Sequence, residues 1–502
     1  MGEIGTALVS VHEKTGLDAF ARRLACLGVR MIASGGTAAY LKQAGVECEE
    51  TSKLTGRVEL LGGLVKTLHP ALHAGILADR DNPSHMQELD ALGYEKIDMV
   101  VVNFYVLPEA RRKTDLSFID IGGPAMARAA SKNFRWCVPV PDPGWYDEVA
   151  GQLELKGTLD ETLRLRLARD TIRRTGSYDA RILGLLEPTW GEGSLLLGLT
   201  RCLHLRYGEN PHQQAGFFKT ICDPAFEVIK GELSYNNILD IDCAIEQLKE
   251  FDERAAVVVK HVGPCGVAQG DTGLAALENA YGSDPVSAFG GVIGVNFHFG
   301  VECADFLAKR FVECIVAPGF DPSALEILAK KKARLVTVPP DALRPSGAGR
   351  MLLRSALGGV LVEAGDDILF RDELKFVSGP VPTDSVFQDL VFAWKVAKHV
   401  RSNAIVFAKD MRTLGIGAGQ PSRVDATRIA IMKAKDAGHG LEGSVVASDG
   451  FFPFPDSVEL AARAGARAVI QPGGSIRDEE VIDAAKKMGM TMALTSIRHF
   501  KH

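Results

Sequence analysis

No apolar run in this 502-residue chain reaches the ~18–20 residues that cross a bilayer, so no membrane-spanning helix is expected. The N-terminus carries Glu3 and lacks a basic stretch followed by a long apolar one, so no secretory leader is expected. Cysteine is sparse: nine residues lie scattered between Cys26 and Cys314 without one Cys-x-x-Cys pair. That pattern argues against a disulfide scaffold and a zinc site, and for a reducing, cytoplasmic compartment. An excess of positive charge is missing as well. Lys and Arg number 57 against 63 Asp and Glu, for a net charge of −6, so no broad grip on nucleic acid is expected. Local anion sites remain open.

What is present is an ordinary globular mixture, 46% hydrophobic and 24% charged, able to fill sizeable cores. The length exceeds what one core organises, about 250–300 residues, which implies two or more domains. Short β-branched runs alternate with helical patterns: Thr6–Val11, a helix through Leu17–Leu27, Val29–Ala33, a helix from Thr37, and Met99–Tyr105. Such alternation predicts βαβ units and a largely parallel sheet. A helical stretch over Leu159–Leu186 runs into the Pro/Gly-rich segment Glu187–Ser194, which reads as a linker. The boundary is placed near 195, giving domains 1–195 and 196–502. The second part has buried-strand runs at Ala255–Val259, Gly291–Val295, Ala404–Ala408, Val445–Ala447 and Ala468–Gln471, in an earlier and a later group. Duplication of an α/β unit stays open, because no sequence repeat accompanies it.

Several motifs carry chemistry. Ser10 through Gly16, with Lys14 and Thr15, follows a strand and opens a helix, and Ser34-Gly35-Gly36-Thr37 repeats the arrangement. Free N–H groups at helix starts beside hydroxyls and an ammonium bind phosphate; a plain capping role for Ser and Thr is the alternative. Gly62–His73 supplies Lys66, Thr67 and a His69-x3-His73 pair. Pro70 and the missing glutamate argue against a metal there, and a lysine beside a phosphate pocket is suited to moving protons. Asp120, ahead of Gly122-Gly123-Pro124, reads as a site carboxylate or a turn residue, and Lys132 follows on the next helix. Lys260-His261 ends a continuous apolar run, where open α/β sheets place ligand-facing groups. Two cations there are rarely a packing requirement, although a satisfied histidine beside a snorkelling lysine is the bland reading. Position 268 is Ala, which breaks a zinc-deaminase pattern after Pro264-Cys265. Gln420 spoils Gly415-Ile416-Gly417-Ala418-Gly419 as a dinucleotide fingerprint.

Together, Val65–Pro70, Ile119–Pro124, Arg206–Gln213, Lys260-His261, Ser287–Gly291, Gly417–Gln420, Ser448–Phe454 and Gln471–Ser475 resemble, in family order from about Ala7 to His502, the bifunctional purine-biosynthesis proteins that join AICAR formyltransferase to IMP cyclohydrolase. The resemblance implies a methylglyoxal-synthase-like α/β domain followed by two cytidine-deaminase-like α/β/α units. It implies a homodimer with transformylase sites at the subunit interface, 10-formyltetrahydrofolate as co-substrate and no zinc; a monovalent cation stays open. Its small-molecule partners are AICAR, FAICAR, IMP and reduced folate, with no nucleic acid or membrane partner. Carried over by motif, cyclohydrolase positions fall on Ser10, Lys14, Thr15, Ser34, Gly36, Thr37, Lys66, Thr67, Tyr105, Asp120 and Lys132. Transformylase positions fall on Arg206, Tyr207, Asn236, Lys260, His261, Asn403, Arg423, Asp449, Ser475, Arg498, Phe500 and His502. Three residues depart from the pattern: Leu64 and Pro455 stand where Arg is frequent, and Gly263 where Asn or Ser is frequent.

On this reading His261 takes the proton of a weakly nucleophilic aromatic amine as it attacks the formyl carbon, and Lys260 stabilises the oxyanion or orients the imidazole. Lys66 shuttles protons during ring closure, with Asp120, Tyr105 and Lys132 polarising the carboxamide and the hydroxyl intermediate, and the phosphate anchors supplying orientation. Two rivals are an enzyme retaining only formyl transfer, which Leu64 would mark, and a catalytically silent nucleotide-binding scaffold. The broken glycine fingerprint disfavours a nicotinamide oxidoreductase.

Overall fold

The computed structural model describes residues 3–56, 61–63, 65–105, 107, 116–186, 195–219, 226–345, 350–371 and 373–502. The expected linker Glu187–Ser194 and the departure at Leu64 lie outside them. The chain divides into two compact units, Met1–Arg201 with Phe218–Cys222, and Cys202–Phe217 with Asp223–His502.

The first unit is built on five parallel strands, β1 (Thr6–Ser10), β2 (Arg30–Ala33), β3 (Glu49–Glu50), β4 (Met99–Val102) and β5 (Val138–Val140), in the order β3-β2-β1-β4-β5. Alternate residues of β1 serve two cores. Ala7 and Val9 meet Phe20, Leu24 and Leu41 on one face, and Leu8 meets Leu72, Ile76 and Met126 on the other. A parallel sheet covered on both faces needs such near-continuous apolar strands. The strand expected over Met99–Tyr105 stops at Val102. Asn103 turns away there, accepting hydrogen bonds from the His12 and Glu13 amides at 2.6 and 3.0 Å. Strand order reverses between β1 and β4, and ligand crevices of open α/β sheets form outside the C-terminal ends at such a point.

Two short ribbons follow in the chain, β6 (Thr200–Leu205) with β7 (Ala215–Lys219), and later β14 (Met351–Ala356) with β15 (Gly359–Ala364). The remaining strands form one twelve-stranded sheet. Its first half contains β8 (Glu227–Lys230), β9 (Ala255–Lys260), β10 (Gly263–Gln269), β11 (Val292–Val295), β12 (Cys314–Ala317) and β13 (Arg334–Thr337). The second contains β16 (Lys375–Ser378), β17 (Ile405–Lys409), β18 (Arg412–Gly417), β19 (Val445–Ser448), β20 (Ala468–Gln471) and β21 (Thr491–Leu494). The order β16-β21-β20-β19-β17-β18-β10-β9-β11-β12-β13-β8 is a duplication. Each half has an antiparallel hairpin, three parallel strands and an antiparallel edge strand, and the halves meet at β10 and β18. The tandem α/β/α units implied by the family resemblance are therefore present.

One face of this sheet carries a single core running through both halves, where Val257, Val259, Val406 and Ile470 pack under the helices Tyr235–Leu248 and Asp384–Ala397. The other face has a separate core for each half. At the seam the Thr413 hydroxyl both accepts from the Val267 amide at 3.0 Å and lies 3.2 Å from its carbonyl, substituting for ladder bonds where β10 and β18 pair briefly. The glycine run from Gly415 is explained by packing. A Cβ on Gly415 or Gly417 would stand 2.2 or 1.9 Å from carbonyls of the helix Arg423–Asp436, so these glycines let the helix lie against β18.

Candidate functional site

In the first unit the expected residues gather at the C-terminal ends of β1, β2 and β4. Ser10 Oγ and Ser34 Oγ are 2.9 Å apart. Ser34 occupies the N-cap position of the helix Gly35–Gln43, yet its side chain makes no capping bond. The helix Leu17–Cys26 starts behind Gly16, at φ 68°, also without a side-chain cap. The helix Gly35–Gln43 thus leaves its leading N–H groups for an anion, as does the helix Leu17–Cys26 beyond Leu17, whose own amide donates to the Lys14 carbonyl at 3.1 Å; the plain capping reading fails for Ser34. Thr37 behaves differently: its hydroxyl bonds the amide and carbonyl of Val11, both at 3.2 Å, and so fixes the loop after β1. Lys14 Nζ donates to the His12 carbonyl at 3.2 Å.

Asp120 serves the turn and the site together. Its Oδ1 accepts from the Gly123 amide at 2.9 Å, and its own amide donates to the Tyr178 hydroxyl at 2.8 Å. Burial pushes the Asp120 carboxyl up, while the amides of Gly123 and Tyr105 and the charge of His12 pull it down, for a net rise. His12 and Tyr105 meet edge to face with ring centroids 5.2 Å apart. Thr67 is packed against Gly122, where a Cβ would lie 2.3 Å from its hydroxyl oxygen. Lys66 is half-buried immediately before it. His69 accepts from the Ala71 amide at 3.2 Å, which makes it the cap of the helix Pro70–Leu77. Lys132 is exposed at the far end of the helix that begins beside Asp120, roughly 15 Å away along its axis, so it is not gathered with Asp120 and Tyr105. His12 and Asn103 are additions to the sequence-derived set. Asn103, a polar residue at the abrupt end of an apolar strand, carried a legible signal. A cavity of about 700 Å³ along Ala25–Glu49 lies at the opposite, N-terminal ends of the strands, away from this chemistry.

The second unit holds three groups. Lys260, His261, Asp284, Ser287, Arg401 and Lys433 line a cavity of about 280 Å³ at the seam between its halves. Lys260 Nζ donates to the Phe289 carbonyl at 2.7 Å. Lys433 reaches Asp284 Oδ2 at 2.8 Å and Ser287 Oγ at 2.9 Å. Burial alone would raise the Asp284 carboxyl, but Lys433 and Ser287 outweigh it and hold it down. Sequence reasoning singled out neither Arg401 nor Lys433, because each joins Lys260 only through long-range strand pairing.

Asn403, Arg423, Phe451, Phe454 and Phe500 line a second cavity of about 470 Å³. Arg423 donates to Asn403 Oδ1 at 2.7 Å and Ser448 Oγ at 2.8 Å, and pairs with fully buried Asp449. The three phenylalanines, each partly exposed, offer ring faces. The C-terminal tail is fastened rather than frayed. The His499 amide donates to the Asp449 carbonyl at 3.0 Å and the Ser402 amide to the Lys501 carbonyl at 2.9 Å. Arg498 lies over the Phe500 ring at 4.5 Å, and His502 meets its edge at 5.9 Å. Ser475 stands apart, its amide and hydroxyl shaping the turn before the helix Asp478–Lys487. In the third group Arg206 lies over the Tyr207 ring at 5.3 Å, and Asn236 donates to the Glu209 carbonyl at 3.3 Å. Arg206, Tyr207 and Asn236 line neither of these two cavities. No cluster of three or more His, Cys, Asp or Glu side chains among the described residues is arranged to hold a metal ion.

Comparison with known proteins gives two family matches: an MGS-like domain over residues 16–123 and an AICARFT/IMPCHase bienzyme over residues 130–433. A Magnetococcus marinus protein named bifunctional purine biosynthesis protein PurH is 46% identical over 533 residues, covering 100% of each chain. Proteins of the same name from Persephonella marina and Bacillus cytotoxicus are 45% and 44% identical, each with 99% of both chains covered. A solved structure described as ForH is 39% identical over 36% of this chain and 96% of its own, with a TM-score of 0.34.

Proposed function

The chain belongs to the family of AICARFT/IMPCHase bienzymes, and from that premise we propose a division of labour in which the first unit closes the IMP ring and the second transfers the formyl group. The protein is a bifunctional enzyme of purine biosynthesis, an AICAR formyltransferase and IMP cyclohydrolase that uses a folate-derived formyl donor. The observation that carries the division is the presence of two separate constellations, one at the β1/β4 crevice and one at the seam cavity.

For formyl transfer, His261 takes the proton lost by the 5-amino group of AICAR as its nitrogen attacks the formyl carbon of 10-formyltetrahydrofolate. Lys260 stabilises the oxyanion, and the reduced folate leaves. Arg206, Tyr207, Asn236, Asn403, Arg423 and the tail from Arg498 hold the substrates, with the exposed phenylalanines offering stacking surfaces. Asp449 acts through Arg423, and Ser475 shapes its turn. For ring closure, the uncapped helix starts with Ser10, Lys14, Thr15, Ser34 and Gly36 hold the phosphate, while Thr37 keeps the β1 loop in place. The carboxamide nitrogen attacks the formyl carbon and water departs. Lys66 moves the proton beside Thr67, and Asp120 and Tyr105 polarise the reacting groups. Orientation supplies most of the acceleration in an intramolecular closure.

That Arg206, Tyr207 and Asn236 line neither cavity of the second unit supports a homodimer in which a second copy completes the site. The buried Asp449 Oδ2, which has no hydrogen-bond partner among the described residues, is the group we assign to a monovalent cation, since carboxylate oxygens suit hard cations. Scattered free cysteines support a cytoplasmic setting. Among the described residues no helix is long and apolar enough to cross a membrane. Purified protein given AICAR and 10-formyltetrahydrofolate is expected to release tetrahydrofolate and accumulate IMP. Tetrahydrofolate release with FAICAR accumulating would mean that ring closure has been lost, and no release at all would leave a silent scaffold.

A further inference from the structure

The hairpin that presents His261 is closed by two residues only. Lys260 pairs with Gly263, so His261 and Val262 form the whole turn, at φ 55° and 61°. Turns of this kind favour Asn-Gly or Gly-Gly, because both central residues are left-handed. A side chain with a Cβ resists that conformation, and a β-branched one resists it more. Something outside the turn must hold it. Asp240 does so: its Oδ1 accepts the Val262 amide at 2.7 Å. Its carboxylate is half-buried, and burial raises it while the Val262 amide and the charge and amide of His261 pull it down. Asp240 rides on the helix Tyr235–Leu248, whose start is locked by a capping box between Ser234 and Asn237. Asn236 sits one turn earlier on the same face of that helix.

The second half repeats the device in different residues. Lys409 pairs with Arg412, leaving Asp410 and Met411 as a two-residue turn at φ 52° and 55°. Asp389, on the helix Asp384–Ala397, accepts the Met411 amide at 2.9 Å. A helix-borne aspartate holding a left-handed turn thus belongs to the architecture of both halves. Only the first copy is loaded with a histidine that lines the seam cavity.

We propose that Asp240 is a positioning residue for formyl transfer, clamping the left-handed turn so that the His261 imidazole is held at the angle where it meets the substrate amine. The proposal rests on His261 acting in formyl transfer. A carboxylate that never touches substrate then sets the geometry of the group that does, and one helix aligns both Asn236 and His261. Misplacement by about 1 Å costs on the order of 10²-fold in rate.

The test is steady-state kinetics of formyl transfer on the full-length enzyme. Asp240→Ala is expected to lower kcat by about tenfold or more, with the AICAR KM within about threefold of wild type. Asp240→Asn keeps an acceptor oxygen and should retain most of kcat. Val262→Gly added to Asp240→Ala should recover part of the loss, because glycine takes the left-handed conformation without a clamp. Asp389→Ala, at the twin turn, should lower thermal stability without lowering kcat. Asp240→Glu keeps the charge and shifts the acceptor by one methylene, so it carries the test if the alanine variant does not fold; a kcat reduced severalfold is expected. Wild-type kcat in either Asp240→Ala or Asp240→Glu, or an equal loss in Asp389→Ala, would overturn the clamp. His261→Ala is run beside them. If it transfers formyl at the wild-type rate, the reading of His261 fails, whatever the Asp240 variants do.

Discussion

Glu250 joins the two halves of the second unit, and replacing it with alanine is expected to cost about 3–5 kcal/mol, the usual result of stripping one partner from a buried ion pair. Its Oε1 receives Lys398 Nζ and His399 Nε2, both at 2.9 Å, and the three side chains are only 13%, 6% and 10% exposed. Burial pushes the carboxyl up, but the hydrogen bonds and charge of His399 and Lys398 outweigh it and bring it from 4.5 to about 2. At about 1.4 kcal/mol per pH unit, that gap corresponds to roughly 3 kcal/mol. Burial pushes His399 down, so at neutral pH it is an uncharged donor and Lys398 supplies the positive charge, which makes 3 an upper figure. The sign follows from a depressed carboxylate. Its contribution is complete above 4.5 and is lost as pH falls toward 2. Urea unfolding followed by circular dichroism, from pH 8 down to 3.5, reads both effects. Glu250→Gln, which keeps an acceptor, should cost about 2 kcal/mol near neutral pH. Its deficit relative to wild type should shrink by up to about 1.4 kcal/mol at one pH unit below 4.5. A Glu250→Ala variant within about 1 kcal/mol of wild type at pH 7, or a glutamine deficit that ignores pH, would refute the reasoning.

Three further outcomes are expected. Thr413→Val leaves the buried amide and carbonyl of Val267 unpaired at the seam, and calorimetry or urea unfolding should find about 2–4 kcal/mol lost. Because burial raises the Asp120 carboxyl above its ordinary 3.8, wild-type ring closure should decline on acidification through a pKa higher than that, and Asp120→Asn should lack this limb in its pH–rate profile. Removing Phe500–His502 takes away one wall of the Arg423 cavity, so formyl transfer should fall at least about tenfold while closure of supplied FAICAR proceeds unchanged.

The sequence disclosed these features unevenly. Strands covered on both faces, such as Ala255–Lys260, are legible because nearly every residue must be apolar. The site motifs were equally plain, since glycines, hydroxyls and lysines crowd the strand ends. Duplication was legible only through the family resemblance and not as a sequence repeat, because the sheet demands a class of residue rather than an identity. Lys260–Gly266 and Lys409–Gly415 occupy equivalent hairpins yet share only their first and last residues. Gly266 and Gly415 persist because each faces a helix carbonyl, 1.9 and 2.2 Å from where a Cβ would stand. Arg401, Lys433 and His12 escaped notice because pairing between distant strands, or a loop folded over a strand end, places them in the site. Ser34 reads equally as a cap or a ligand until its hydroxyl is found turned toward Ser10 rather than its own helix.

The division of labour between the units is tested most directly by assaying both half-reactions, AICAR formylation and closure of supplied FAICAR, on His261→Ala and Lys66→Ala. His261→Ala is expected to lose formyl transfer by about 10²-fold or more and to close FAICAR at the wild-type rate, with Lys66→Ala showing the reverse. Wild-type formyl transfer by His261→Ala, or loss of both reactions in either folded variant, would contradict it.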